Sequence, residues 1–207
     1  MTGNPDALLE AGFGDPVMDA ARVFRAALRA MSEPGRPQEL AAATPRFAAL
    51  PGAASALLLC LADANTPVWI SPRLDHPALR ANLAFHCNCP MTAHRHEAAF
   101  AVLDGEDALE LREFNAGEAR RPDLSSTLIV SLPDLAGGAP TRWRGPGILR
   151  ERQVFLPLAA AFWEERARRN AFPLGLDMFF TAQSRLMGLP RTTRAEYLGL
   201  ARSPLAA

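Results

Sequence analysis

The stretch Phe172–Arg194, FPLGLDMFFTAQSRLMGLPRTTR, constrains the fold more than any other part of the chain. Two short apolar runs, Leu176–Thr181 and Leu186–Leu189, flank the polar Gln183-Ser184-Arg185. Bounded by a Pro/Gly corner before and Pro190 after, they read as a buried β-hairpin. Side chains alternate across a strand, so Asp177 and Phe179 share one face while Leu176, Met178 and Phe180 share the other. Pro190 has no N–H to give a ladder, and the return strand should end there. Arg191, Thr192, Thr193 and Arg194 then stand just past a rigid support. Two guanidinium forks and two hydroxyls so placed can receive a phosphate or carboxylate. A solvated strand end is the plainer alternative. Asp177 sits among apolar neighbours and needs a partner, which an Arg of this C-terminal segment can supply.

The rest of the chain alternates between helical and extended patterns. Asp15 and Pro16 form an N-cap and first-turn pair ahead of a helix over Val17–Met31, with Arg22, Arg25 and Arg29 on one side of it. Residues 38–52 read as a connection with one short helix. The run Ala56–Ala62 is a buried strand or a helix, since periodicity does not separate the two. Asp63–Pro67 is turn chemistry before a strand at Val68–Ile70, and the pair suggests a hairpin. A helix over Asp75–Phe85 follows, then a strand at Ala98–Leu103 and a short amphipathic helix over Asp107–Phe114. Leu128–Leu132 is a strand and Arg142–Arg144 an edge strand. Pro157 opens a helix to about Asn170, with Arg166, Arg168 and Arg169 near its end. This order gives an α/β class, a mixed sheet flanked by helices. A length of 207 residues suits one domain. Residues 1–14 are expected to be a loosely ordered segment, with Leu8, Leu9 and Phe13 able to dock, and 15–207 a single domain.

Composition narrows the function classes. Formal net charge is zero, which points away from bulk nucleic-acid or anionic-membrane binding. The longest apolar run, Ala53–Ala62, is too short for a bilayer. The first residues carry acids instead of a basic, apolar leader, so no signal peptide is expected. Three cysteines do not make a disulfide framework, and cytoplasmic residence is the default expectation. All 22 basic residues are Arg. Without Lys there is no Schiff base to pyridoxal phosphate or a carbonyl substrate, and no P-loop lysine.

The densest set of ligand-type side chains is His86, Cys87, Cys89, His94 and His96. It invites a zinc or iron reading, but Cys-x-Cys is tighter than an ordinary zinc knuckle and no second cysteine pair exists. The expectation is no metal. Cys87 beside His86 as a nucleophile lacks an orienting third group. Gly145-Pro146-Gly147-Ile148 lacks phosphate-loop spacing, and Pro146 removes an N–H such a loop would use, so a structural turn is expected. His76 reads as a surface helix residue.

Several segments taken together resemble a known family. They are Gly12-Phe13 with Asp15-Pro16-Val17, Arg22-Val23-Phe24-Arg25, Ala30-Met31-Ser32-Glu33-Pro34-Gly35, Leu61-Ala62-Asp63, Thr66-Pro67-Val68-Trp69-Ile70, Phe85-His86 and Gly145-Pro146-Gly147-Ile148. Phe172-Pro173-Leu174-Gly175-Leu176-Asp177 and Pro190-Arg191-Thr192-Thr193 are the most specific. In this order they resemble the H subunit family of the bacterial carbon–phosphorus lyase system (PhnH). The resemblance implies a subunit that works with G, I and L subunits to transfer ribose triphosphate from ATP to an alkylphosphonate, releasing adenine, before a radical subunit breaks the carbon–phosphorus bond. It implies a fold similar to pyridoxal-phosphate-dependent transferases but without the cofactor or its lysine, and no other cofactor. It also implies a homodimer that joins the sister subunits of a core complex. It assigns no catalytic residue. A phosphonate or ATP-derived ligand, if bound here, would meet Asp177, Arg191, Thr192 and Thr193 first. A purely structural assembly subunit without a ligand site, and a stand-alone metalloenzyme built on the His/Cys set, are the alternatives.

Overall fold

The hairpin is the hinge between two kinds of strand pairing. The computed structural model describes residues 8–40, 44–108 and 110–199. Strand β7 (Asp177–Ala182) turns at Gln183-Ser184 into β8 (Arg185–Leu189), with Gln183 at φ 52°. On its other side β7 runs parallel to β4 (Thr127–Ser131), which is parallel to β3 (Phe100–Asp104), itself parallel to β2 (Val68–Ile70). The two-residue β1 (Gln38–Glu39) caps the far edge against β8, giving the order β1-β8-β7-β4-β3-β2. The α/β mixed sheet expected from the sequence is present.

Alternation along each strand divides the core in two. Val68, Ile70, Val102, Ile129, Phe179 and Leu186 point to one side, where they meet the helices α1 (Pro16–Ser32), α2 (Gly52–Leu61) and α3 (Pro77–Cys87). Trp69, Ala101, Leu103, Leu128, Val130, Met178, Phe180 and Met187 point to the other. There they meet α4 (Ala160–Arg169) and a second, antiparallel sheet of β5 (Pro140–Arg144), β6 (Arg152–Phe155) and β9 (Arg194–Tyr197). Trp143, Trp163 and Phe180 join these layers, their rings 6.1–6.5 Å apart. The indole N–H of Trp143 donates to Thr141 Oγ1 at 2.9 Å, and that hydroxyl donates to the Val154 carbonyl at 2.7 Å. The Trp143 indole and the Thr141 hydroxyl are thereby satisfied within the sheet, whereas the buried Trp163 indole N–H has no hydrogen-bond partner.

Local signals set the helices. Asp15 caps α1, accepting the N–H groups of Val17 and Met18 at 3.2 and 3.0 Å, and Pro16 opens the first turn. The ambiguous apolar run is a helix, α2, that starts at Gly52 with the small residues Ala53, Ala54 and Ser55 and is buried over most of its length. A helix apolar all round belongs inside a fold. The expected hairpin of this run with Val68–Ile70 is therefore absent: β2 pairs in parallel with β3, and α3 lies between them in the chain. Of the helix expected over Asp107–Phe114, only a 3₁₀ turn at Leu111–Glu113 forms, and Leu109 lies outside the described residues. Arg142–Arg144 belongs to the central strand of its sheet, with β6 on one side and the unforeseen β9 on the other. Gly145-Pro146-Gly147 is a turn, closed by the Ile148 N–H on the Gly145 carbonyl at 3.1 Å. Residues 1–7 of the expected loose segment lie outside the described residues. Beyond them, Phe13 packs on the helical core, and Asn82 takes the Glu10 N–H at 2.8 Å and gives an N–H to the Leu8 carbonyl at 2.9 Å.

One close approach fixes α1 on the sheet. Gly188 of β8 lies against α1 so tightly that a Cβ there would sit 2.4 Å from the Ala30 carbonyl oxygen. Backbone cannot yield as a side chain can. Gly188→Ala is expected to destabilise the fold by about 3 kcal/mol, at the upper end of overpacking costs; a urea midpoint unchanged from the parent would contradict this contact.

Candidate functional site

The end of the hairpin is built around two arginines from different elements. Asp177 opens β7, and Pro190 ends β8; a tight turn follows, closed by the Thr193 N–H on the Pro190 carbonyl at 3.0 Å. Asp177 Oδ1 accepts the Arg191 backbone N–H at 2.7 Å, and Oδ2 accepts from Arg191 Nε at 3.0 Å and from Nη2. The carboxylate expected to need an arginine thus has Arg191, in a forked pair with both side chains mostly buried. Arg191 Nη1 donates to the Pro122 carbonyl at 2.5 Å.

Beneath the same turn lies Arg166 of α4, 2% exposed. Its Nη1 donates to the Thr193 carbonyl at 3.1 Å and its Nη2 to the Pro190 carbonyl at 2.9 Å. Among the described residues no carboxylate lies within ion-pair distance of it. Burial pulls its guanidinium down to about 10, against the attraction of the Asp177 charge. Its Nε and the buried Thr193 Oγ1 have no hydrogen-bond partner. In sequence Arg166 reads only as a charge suiting the helix end. Its four-residue spacing from the fully buried Phe162 is the signal that places it on the inward face.

The four candidates therefore separate. Asp177 and Thr192 line a hollow of about 580 Å³ with Met31, Ser32, Phe100 and Phe179. Thr193 is turned inward, 1% exposed. Arg191 is engaged by Asp177 and Pro122, and an anionic ligand would have to displace Asp177 to reach it. Arg194 begins β9 opposite Arg144.

A second hollow, about 750 Å³, opens at the other end of the parallel strands, lined by Arg46, Asp104, Glu106, Ser131 and Gln183. Open α/β sheets commonly take ligands outside the carboxyl ends of their strands. Expecting hairpins where parallel pairs exist hid these residues from sequence reasoning.

The His/Cys set does not converge. The His86 ring stacks on Phe47 at 5.1 Å and its Nε2 bonds the Glu10 carbonyl at 3.0 Å, away from a role as base to Cys87. Cys87 and Cys89 are buried, the Cys87 thiol donates to the Leu58 carbonyl at 3.7 Å, and the neighbouring Cys89 and burial push that thiol up. His94 and His96 sit on an exposed 3₁₀ turn with Arg95. Among the described residues no group of three or more His, Cys, Asp or Glu could hold a metal ion. His76 caps α3, its Nδ1 accepting the Ala78 N–H at 3.2 Å.

These contacts rank the residues by structural cost. Asp177→Asn leaves the Arg191 fork half-paired in a mostly buried place and is expected to cost about 2 kcal/mol. Thr192→Val, at a residue that lines the hollow and makes no side-chain hydrogen bond among the described residues, should cost less than about 0.5 kcal/mol. Chemical denaturation of both variants gives the comparison, and an inverted order would refute this assignment.

Comparison with known proteins agrees with this architecture of specific segments. Residues 11–196 match the family described as bacterial phosphonate metabolism protein (PhnH). The chain is 36% identical over 193 residues, 89% of its length and 94% of the relative's, to "Alpha-D-ribose 1-methylphosphonate 5-triphosphate synthase subunit PhnH" of Rhizobium meliloti (strain 1021). It is 31% identical over 180 residues, 85% of each chain, to "Putative C-P lyase subunit protein HtxG" of Stutzerimonas stutzeri. The family match spans the hairpin, the buried Arg166 and the Pro-Arg-Thr-Thr turn, and the chain belongs to the PhnH family of bacterial phosphonate metabolism proteins.

Proposed function

We propose that this chain is a non-autonomous subunit of the assembly that transfers ribose triphosphate from ATP to an alkylphosphonate, releasing adenine. The observation that carries this reading is the similarity to a ribose 1-methylphosphonate 5-triphosphate synthase subunit along nearly the whole of both chains. The sister subunits supply the rest of the machinery in this reading, and the chain pairs with a second copy in the cytoplasm. In this reading the fold is similar to that of pyridoxal-phosphate-dependent transferases but works without that cofactor, in keeping with a chain whose basic residues are all Arg. The described residues act as one domain.

The geometry supports a shaping role better than a reacting one. Arg191, the most reactive-looking cation of the sequence, is closed on Asp177, and Arg166 holds the turn from below. An element so tied presents a fixed surface to a neighbour. A second reading rests on the hollow that Asp177 and Thr192 line beside it: a phosphonate or ATP-derived ligand enters there and takes Arg191 from Asp177.

Reconstitution of the sister subunits with ATP and methylphosphonate, with and without this chain, tests the main reading. Adenine release should fall by about tenfold or more when the chain is omitted; equal release would defeat it. Isothermal titration of the purified chain with ATP and with methylphosphonate separates the two readings. Heat that disappears in Arg191→Ala supports the ligand site, and no heat from either, with assembly intact, leaves the shaping role.

A further inference from the structure

The hollow beside the Pro190–Thr193 turn has walls of a definite chemistry. It lies on the helix side of the sheet, at the starting ends of the parallel strands. Phe100, Thr127 and Asp177 are register partners across β3, β4 and β7, so their side chains share a face, the one that bears Phe179. Met31 and Leu61, from the last turns of α1 and α2, line it from the helix layer. Its volume of about 580 Å³ is that of a small-molecule pocket.

None of the residues that line it carries a positive charge. Arg191 spends Nε and Nη2 on Asp177 and Nη1 on the Pro122 carbonyl, and Arg166 spends both Nη atoms on carbonyls of the turn. The negative ends of two helix dipoles, at Ser32 and Leu61, come to the hollow instead. An anion would meet a carboxylate and two helix C-termini, with no open guanidinium fork to receive it. A flat, uncharged ring meets apolar walls in Met31, Leu61, Phe100 and Phe179.

The polar edge selects further. An ionised carboxylate offers about four acceptor sites. Arg191 takes three of those on Asp177, through its backbone N–H, Nε and Nη2. One is left for the N–H of a ligand, with Arg191 unmoved. Thr127 and Thr192 line the same hollow and make no side-chain hydrogen bond among the described residues. A hydroxyl both donates and accepts. One free acceptor and two hydroxyls suit a ring that carries an amino group and ring nitrogens on its edge, whereas a phosphonate brings charge of the same sign as Asp177.

We propose that this hollow seats the purine base of an ATP-derived molecule, its amino group on Asp177, while the phosphates stay outside. This rests on the transfer from ATP proposed above, and it narrows the occupant of the hollow to the base.

Isothermal titration of the full chain with adenine, hypoxanthine, methylphosphonate and inorganic phosphate tests it. Adenine should bind saturably. Hypoxanthine, with a carbonyl in place of the amino group, should bind at least about tenfold more weakly. Methylphosphonate and phosphate, at matched ionic strength, should not displace adenine. Thr127→Val and Thr192→Val should each weaken adenine about three- to tenfold with an unchanged circular dichroism spectrum. Asp177→Asn should reverse the preference between the bases, because its amide can donate to the hypoxanthine carbonyl. Should that variant fail to fold, the threonine variants and the base preference decide. Equal affinity for the two bases, displacement of adenine by phosphate, or threonine variants without effect would each overturn the site. A chain that is needed for adenine release by the reconstituted assembly yet binds no adenine would overturn the site and leave the transfer reading standing. A chain that binds adenine as described yet is dispensable for that release would keep the site and defeat the transfer reading.

Discussion

Strand β7 is held by neighbours running in opposite directions, with apolar side chains on both of its faces. That double constraint organises the molecule. Phe179 must find the helices α1 and α2, while Met178 and Phe180 must find the aromatic layer of Trp143 and Trp163. No single covering layer can satisfy both, so the chain builds one on each side. The parallel ladder from β2 to β7 then has two distinct ends. Asp177 and the Pro190–Thr193 turn are at the start of β7, and the larger hollow with Arg46 and Gln183 is at its finish.

Charge in this protein is handled by main chain as much as by counter-ions. Arg166 gives up water for two carbonyls of one turn, a costly exchange that is tolerable because the Asp177 carboxylate is near enough to offset part of it. Arg191 takes the carboxylate itself and reaches on to Pro122. The segments Phe172–Asp177 and Pro190–Thr193 are the two halves of this one construction. A subunit that must meet several neighbours needs surfaces that do not rearrange, and a turn tied at its carbonyls and at its side chain is such a surface.

Much of this was legible in the residues. The hairpin, the faces of Asp177 and Phe179, the cap at Asp15 and the arginine partner of Asp177 follow from alternation, capping chemistry and the cost of a buried carboxylate. What was not legible depends on distant pairing. Val68–Ile70 looks like half of a hairpin because the nearest run precedes it, yet its partner lies beyond α3. Arg194–Tyr197 has too few apolar residues to announce a strand and becomes one only because β5 offers a free edge. Arg166 carries the same charge as its neighbours Arg168 and Arg169, and only packing distinguishes it. The His/Cys set is dense in sequence and scattered in space because α3 ends between its members: Asn88, in the left-handed conformation, turns the chain away from His86.

The missing side chain at Gly188 has a mechanical consequence. With nothing between β8 and the backbone of α1 at Ala30, the two elements share one rigid junction and cannot slide past each other. Pro190 follows Gly188 by two residues, and Met31 and Ser32, just after Ala30, form one wall of the hollow that Thr192 also lines. The outer helix and the turn that Arg166 and Asp177 clamp therefore belong to one tightly packed unit, and a change of residue at Gly188 would reach both.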